Sequence, residues 1–215
     1  RSADTKMLPT HTDCLSIFED DFVGCLGMQK AKSDLIRIAF TTYSDRITTH
    51  LHVVQYENRT GSFITLNVSA LKNSPFPLTD VKFLPAWFSC DALVCCGDGI
   101  SVCYIENESK CKSTFCRVVD GFSVHSNELG LPTLGVIPMA QNSKRLGSWQ
   151  MGGTVSCWDL IRLEQLAAIN KFDEVSDMST FTDDCTSLLL CTDRGTCVWD
   201  IRAPLSIQNI EARDR

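Results

Sequence analysis

The sequence predicts an all-β protein made of about four similar sheets, each with four short antiparallel strands. A Trp-Asp pair ends an apolar run twice, at Trp158-Asp159 and Trp199-Asp200, 41 residues apart. Short runs of β-branched and aromatic residues alternate with turn residues along most of the chain. Long amphipathic helical patterns are lacking, since only 160–168 has some helical periodicity and this stretch is short.

The last repeat shows the strand pattern most clearly. Its predicted strands are Val175–Phe181, Leu188–Cys191, Thr196–Trp199 and Pro204–Ile210. Turn-forming residues separate these runs, and the repeat before it has the same order of runs and turns. This order is what a four-stranded antiparallel sheet with short connections requires.

Two weaker copies of the repeat precede these, with Tyr104 and Tyr56 in the place of the tryptophan. The steps between the four aromatic positions are 48, 54 and 41 residues, and the longer steps indicate loop insertions. The repeats predict an N-terminal tail at 1–13 and one domain over 14–215. The four sheets are expected at about 14–68, 75–119, 131–169 and 175–210.

The residues at the end of each third strand, called here the strand-end residues, are predicted to be structural. A single four-stranded sheet cannot bury both of its faces, so neighbouring sheets must stack on one another. A large aromatic side chain fills the space between two such sheets and removes about 150–250 Å² from water. The strand-end residues are Tyr56, Tyr104, Trp158, Asp159, Trp199 and Asp200.

A repeat of about 40–45 residues that ends in Trp-Asp resembles the blades of the WD-repeat β-propeller family. The resemblance covers the chain from about Leu15, with the Gly-His that usually precedes the innermost strand missing throughout. It implies a radial arrangement of sheets and a non-enzymatic platform for other proteins.

Three further stretches resemble the Transparent Testa Glabra group of plant regulators and their animal kinase-scaffold relatives. They are Leu35–Phe40, followed by Tyr43-Ser44-Asp45 and a valine-rich strand, Pro75–Thr79, which leads into a strand, and Asp200–Pro204. A complete member of that group would have seven blades, whereas four are recognisable here. The chain is therefore expected to be a fragment, an arc completed by another chain, or a small closed ring.

Composition excludes several classes of function. The chain of 215 residues carries a formal net charge of −6, so we expect no direct binding of nucleic acid. No apolar run approaches the ~20 residues of a membrane-spanning helix, and residues 1–13 show no signal peptide.

The twelve cysteines form no C-x-x-C, and many lie in apolar runs as at Cys95-Cys96 and Leu190-Cys191. We expect reduced core thiols and a cytoplasmic or nuclear protein.

Motifs of enzyme chemistry are not found in the sequence. It has no phosphate-binding glycine loop, no G-x-S-x-G and no H-E-x-x-H. His50 and His52 alternate on a predicted strand, and we interpret them as polar residues on a solvated or edge strand rather than as metal ligands. No catalytic residue, cofactor or metal site is therefore predicted.

The favoured function is a non-catalytic scaffold or adaptor whose loops bind other proteins, such as a kinase, a transcription factor or a ubiquitin-ligase adaptor. Candidate contact loops are 41–49, 69–79, 105–130 and 170–174. The alternatives are a structural subunit of a coat, nuclear-pore, axonemal or RNA-processing assembly, and a substrate receptor of a cullin-type ubiquitin ligase.

Arg202 is the one candidate partner-binding residue. Trp199-Asp200-Ile201-Arg202 has the W-D-x-R form of propellers that dock onto the adaptor of cullin-type ligases. An arginine at the end of a blade offers a fork of donors to a carboxylate of the partner. In the preceding repeat the arginine comes one place later, at Arg162, and fits the form less well.

Overall fold

The structure, a computed structural model, describes most of the chain from residue 22 to residue 210. The described residues are 22–32, 35–43, 49–71, 77–85, 92–106, 115–119, 131–139, 144–162, 164–181, 186–203 and 205–210. They contain sixteen β-strands and no helix, in agreement with the all-β prediction.

The strands form four antiparallel sheets, and each sheet takes four strands that are consecutive in the chain. The first sheet contains β1 (Phe22–Lys32), β2 (Leu35–Tyr43), β3 (Thr49–Glu57) and β4 (Ser62–Leu71). The second contains β5 (Asp80–Phe83), β6 (Ala92–Cys96), β7 (Ile100–Glu106) and β8 (Phe115–Val119). The third contains β9 (Thr133–Pro138), β10 (Arg145–Gln150), β11 (Thr154–Asp159) and β12 (Glu164–Asn170). The fourth contains β13 (Val175–Thr180), β14 (Ser187–Thr192), β15 (Gly195–Asp200) and β16 (Ile207–Asn209).

Buried side chains lie in three clusters, one for each pair of successive sheets. Ala39, Leu51 and Val53 of the first sheet share a cluster with Val81 and Leu93 of the second. A second cluster joins the second and third sheets, and a third joins the third and fourth. The second and third sheets thus have apolar side chains packed on both faces, because each has a neighbour on either side.

The first strands of successive sheets come very close together. A Cβ added at Gly27 of β1 would lie 2.5 Å from the carbonyl oxygen of Val81 on β5. Only a residue without a side chain fits at this position, so the contact between the two strands depends on the glycine.

Hydrogen bonds also connect the second and third sheets near their first strands, β5 and β9. The Asp80 carboxylate accepts a hydrogen bond of 3.2 Å from the backbone N–H of Val136. The Thr79 hydroxyl donates to the carbonyl of Thr133, whose own N–H donates to the carbonyl of Gly97 over 2.7 Å. These bonds satisfy polar groups that the stacking of the sheets takes away from water.

Two expectations about individual side chains are wrong. His52 is buried rather than solvated: its Nε2 lies 2.8 Å from the Thr42 hydroxyl, and its ring stacks on Phe40. Cys191 is exposed rather than in the core, because it lies on the face of β14 that points away from the third sheet. An apolar run predicts a strand well, but it does not show which face of the strand a neighbouring sheet covers.

Candidate interaction surface

The two strand-end tryptophans are deeply buried between sheets. Trp199 lies in the cluster between the third and fourth sheets, and Trp158 in the cluster between the second and third. The indole Nε1 of Trp158 donates a hydrogen bond of 2.8 Å to the hydroxyl of Ser148 on the adjacent strand. Each indole therefore packs against the sheet that precedes its own, where it adds contact area and has no access to a ligand.

The two strand-end tyrosines differ from the tryptophans. Tyr56 is only half-buried on β3, and its ring lies 4.8 Å from that of Phe63 on β4. Tyr104 lies on β7 opposite Ala92, and its side chain is outside the described residues.

The carboxylate of Asp159 organises the turn that follows β11. Its Oδ1 accepts hydrogen bonds from the backbone N–H groups of Ile161, at 2.8 Å, and Arg162, at 3.0 Å. The pKa of this carboxyl lies below its ordinary value, mainly because of the bond from Arg162 and further because of the bond from Ile161. The nearby charges of Arg162 and Arg145 lower the pKa in the same direction.

Asp200 forms the equivalent turn after β15. Its Oδ1 accepts from the backbone N–H of Arg202 at 2.9 Å and from the guanidinium Nε at 3.0 Å. Its Oδ2 accepts from Nη2 at 2.7 Å. The Arg202 guanidinium is thus held in a two-point contact with the carboxylate two residues before it, although its side chain is 70% exposed. The W-D-x-R motif could have predicted the backbone bond from Arg202 to Asp200, because the side chain of an aspartate often accepts a hydrogen bond from the backbone two residues further on.

These two turns form the candidate interaction surface, defined as residues 160–162 and 201–203. Leu160 and Ile201 are buried and anchor their turns, whereas the side chain of Arg162 is 71% exposed and pairs with Glu164 over 3.3 Å. Ile161, which precedes Arg162 in the chain, adds an exposed apolar side chain. Exposed arginines next to apolar side chains are typical of surfaces that bind acidic segments of other proteins.

The opposite ends of the same strands carry a different set of charges. Arg194, in the hairpin between β14 and β15, pairs with Asp193 at 3.5 Å and with Asp173 at 3.8 Å. Asp173 belongs to the predicted contact loop 170–174, in which Phe172 is buried in the core. Of the other predicted contact loops, residues 44–48, 72–76, 107–114 and 120–130 lie outside the described residues.

The part of the chain that the structure describes contains neither a metal-binding cluster nor a membrane-spanning helix. No group of three or more His, Cys, Asp or Glu side chains there is arranged to hold a metal ion. None of its secondary-structure elements is a helix long and apolar enough to cross a membrane.

Comparison with solved structures identifies the fold. The WD40 domain of coronin from Toxoplasma gondii matches with a TM-score of 0.57 and 17% sequence identity, over 85% of this chain and 43% of that chain. Sqt1 from Chaetomium thermophilum matches with a TM-score of 0.61 and 13% identity, over 86% of this chain and 44% of that one. No protein-family model matches the sequence, and neither does any curated protein.

The protein has the WD-repeat β-propeller fold, and its described residues form four blades of four strands each. It spans less than half the length of the two solved chains. The strand-end turns that carry Arg162 and Arg202 belong to its third and fourth blades. The narrower resemblance to the Transparent Testa Glabra group has no support among these matches.

Proposed function

We propose that this protein is a non-catalytic scaffold that binds other proteins through the exposed ends of its blades. The observation that carries the proposal is the pair of equivalent turns at Asp159 and Asp200. Each turn is held from within by its carboxylate and presents an arginine to solvent. Presentation of this kind lowers the entropy lost on binding, because the backbone of the turn is already ordered. The matches to WD40 domains support a general role in protein interaction.

Arg202 favours a second, more specific function, docking onto the adaptor of a cullin-type ubiquitin ligase as a substrate receptor. Asp200 orders both the backbone and the guanidinium of Arg202, so the arginine has a defined direction before a partner arrives. An acidic group of the adaptor would approach the exposed side of this guanidinium.

Recovery of partners on the immobilised protein tests both functions. The variant Arg202→Glu reverses the charge of the candidate site, and Arg194→Glu makes the same change at the opposite ends of the strands. The side chains of the two arginines have similar exposure, 70% and 65%. Loss of the ligase adaptor with Arg202→Glu alone supports docking, whereas unchanged recovery in both variants removes this function. If Arg162→Glu together with Arg202→Glu leaves all specific partners bound, the turns are not the binding surface and the general proposal fails.

Two other roles stay proposals. As a structural subunit of a large assembly, the protein would co-purify in fixed stoichiometry with the same components in every preparation. A kinase or transcription-factor scaffold would instead recover its partner in proportion to the partner's abundance.

We also propose a cytoplasmic or nuclear location, which the free thiols of the described cysteines support. Microscopy of the tagged protein tests the location.

A further inference from the structure

Three polar side chains of the third sheet are buried near the hairpin between β10 and β11. They are Thr133 on β9 and Ser148 and Gln150 on β10, with exposures of 1%, 0% and 1%. None of the three is charged, and none belongs to the candidate interaction surface. These three residues are called here the inner polar cluster.

The strand register places the inner polar cluster on one face of the sheet. Ser148 and Gln150 are two residues apart on β10, so their side chains point to the same side. The pairing of β9 with β10 shifts between Trp149 and Gln150, and Thr133 therefore lies opposite Gln150. Val136, which lies opposite Ser148, belongs to the buried cluster between the second and third sheets. The inner polar cluster thus faces the second sheet.

Two oxygen atoms of the inner polar cluster have no hydrogen-bond partner in the described part of the chain. They are the hydroxyl oxygen of Thr133 and the amide Oε1 of Gln150, and both are buried. Residues paired across two strands have Cβ atoms about 4.5–5.5 Å apart, so these two groups are neighbours that do not bond to each other. Buried polar atoms in folded proteins are nearly always bonded to protein or to ordered water, because an unsatisfied one costs free energy.

Ser148 adds a hydrogen-bond donor on the same face. Its hydroxyl oxygen accepts the indole N–H of Trp158 over 2.8 Å. A serine hydroxyl can accept and donate at the same time, so this bond does not use the hydroxyl proton. The inner polar cluster therefore combines a donor at Ser148, an acceptor at Gln150 and a hydroxyl at Thr133 that can do either.

The backbone of Thr133 is already bonded to residues that flank strands of the second sheet. Its N–H donates to the carbonyl of Gly97 over 2.7 Å, and its carbonyl accepts from the hydroxyl of Thr79. Both bonds fix the position of Thr133 between the two sheets. The hydroxyl of Thr133 is thus held beside the amide of Gln150 by the fold itself.

We propose that an ordered water molecule binds at the inner polar cluster. It donates one proton to Oε1 of Gln150 and the other to the hydroxyl oxygen of Thr133, and it accepts the hydroxyl proton of Ser148. Three such bonds are typical of a buried water. A larger ligand does not reach these atoms, because the three side chains are at most 1% exposed.

The water connects the three inner strands of the third sheet. It joins β9 to β10 directly, and through Ser148 it continues the hydrogen bond from Trp158 on β11. The site does not depend on the proposed scaffold function, because the turn at 160–162 lies at the other end of β11.

Oxygen-17 relaxation dispersion of the solvent tests the proposal with the whole chain, because it counts the waters that stay inside a folded protein much longer than surface water. Gln150→Met removes the amide and keeps an unbranched side chain, and Thr133→Val replaces the hydroxyl with a methyl group. Each variant is expected to hold one long-lived water fewer than the wild type. Thr42→Val is the control and is expected to keep the wild-type number, because that buried hydroxyl already lies 2.8 Å from Nε2 of His52.

An unchanged number of long-lived waters in both Gln150→Met and Thr133→Val overturns the proposal. An equal loss in Thr42→Val also overturns it, since this would show a loosened core rather than a defined site. A crystal structure of the wild-type protein gives an independent result. A water oxygen within hydrogen-bond distance of Thr133 and Gln150 supports the site, whereas a direct bond between these two side chains excludes it. Circular dichroism spectra that match the wild type show that each variant is folded.

Discussion

The indole Nε1 of Trp158 lies 2.8 Å from the hydroxyl oxygen of Ser148, and this hydrogen bond connects the second and third strands of one blade inside the core. Both side chains are buried, so the bond replaces water as the donor to the serine oxygen. It allows a large side chain with a polar atom to fill the space between two blades.

Removal of this hydroxyl is expected to destabilise the protein. Ser148→Ala deletes the acceptor of a buried indole N–H, and we expect a loss of about 1–3 kcal/mol in the free energy of unfolding, measured by urea denaturation. Ser176→Ala is the control, because that exposed hydroxyl bonds to the Cys191 carbonyl at the surface. Equal effects of the two substitutions would contradict a special role for the buried bond.

The hairpin before β11 depends on Gly153. This residue has a φ of +75°, and an added Cβ would collide with the carbonyl oxygen of Phe172 in the neighbouring loop. Gly195, in the equivalent hairpin of the next blade, has a φ of +105° and open space around the same position. Gly195→Ala should therefore cost about 1–2 kcal/mol from backbone strain alone, and Gly153→Ala clearly more. Thermal melting of the two variants checks this order, and the reverse order would exclude the collision as the cause.

The strand-end aromatics should differ in their contribution to stability. Trp199 is fully buried between two sheets, so Trp199→Ala should cost about 3–5 kcal/mol. Tyr56→Ala should cost much less, because that side chain is only half-buried. Urea denaturation of the two variants and the wild type measures both values. A larger loss for Tyr56→Ala would mean that the two positions are not buried as described.

Alkaline pH should weaken the fold through the Cys96 thiol. Burial raises the pKa of Cys96 to about 12 from the ordinary value of 9.0, while the hydrogen bond with Thr79 opposes this rise in part. Above pH 9 the thiol of the unfolded chain ionises and that of the folded chain does not. Its contribution to stability is therefore complete below pH 9 and is lost as the pH approaches 12.

Urea denaturation at pH 8 and at a pH between 9 and 12 measures this loss. Cys96→Ala should show a smaller decrease in stability between the two pH values than the wild type. Other groups that ionise in this range, such as Tyr43 with its pKa raised by burial, contribute equally to both proteins. An identical decrease in the two proteins would show that Cys96 does not carry the effect.

Local patterns in the sequence were sufficient to predict the sheets. The alternation of side chains along a strand depends only on neighbouring residues. The hairpin turns after Gln150 and Thr192 likewise join residues that are only a few positions apart in the chain. The equivalence of Trp158 and Trp199 could be predicted for the same reason, since each lies at a fixed distance from its own hairpin. The pairing of Arg202 with Asp200 was not predicted, although these residues are two apart in the chain.

The sequence by itself determined the all-β class, the four-stranded repeat and the residues that end each third strand, because these depend on period-two alternation and hairpin chemistry. Only the tertiary structure decided which faces are covered, as the burial of His52 and the exposure of Cys191 show. It also decided the link from Asp80 to Val136, 56 residues away. Such contacts depend on how whole sheets stack, and no short stretch of sequence contains that information.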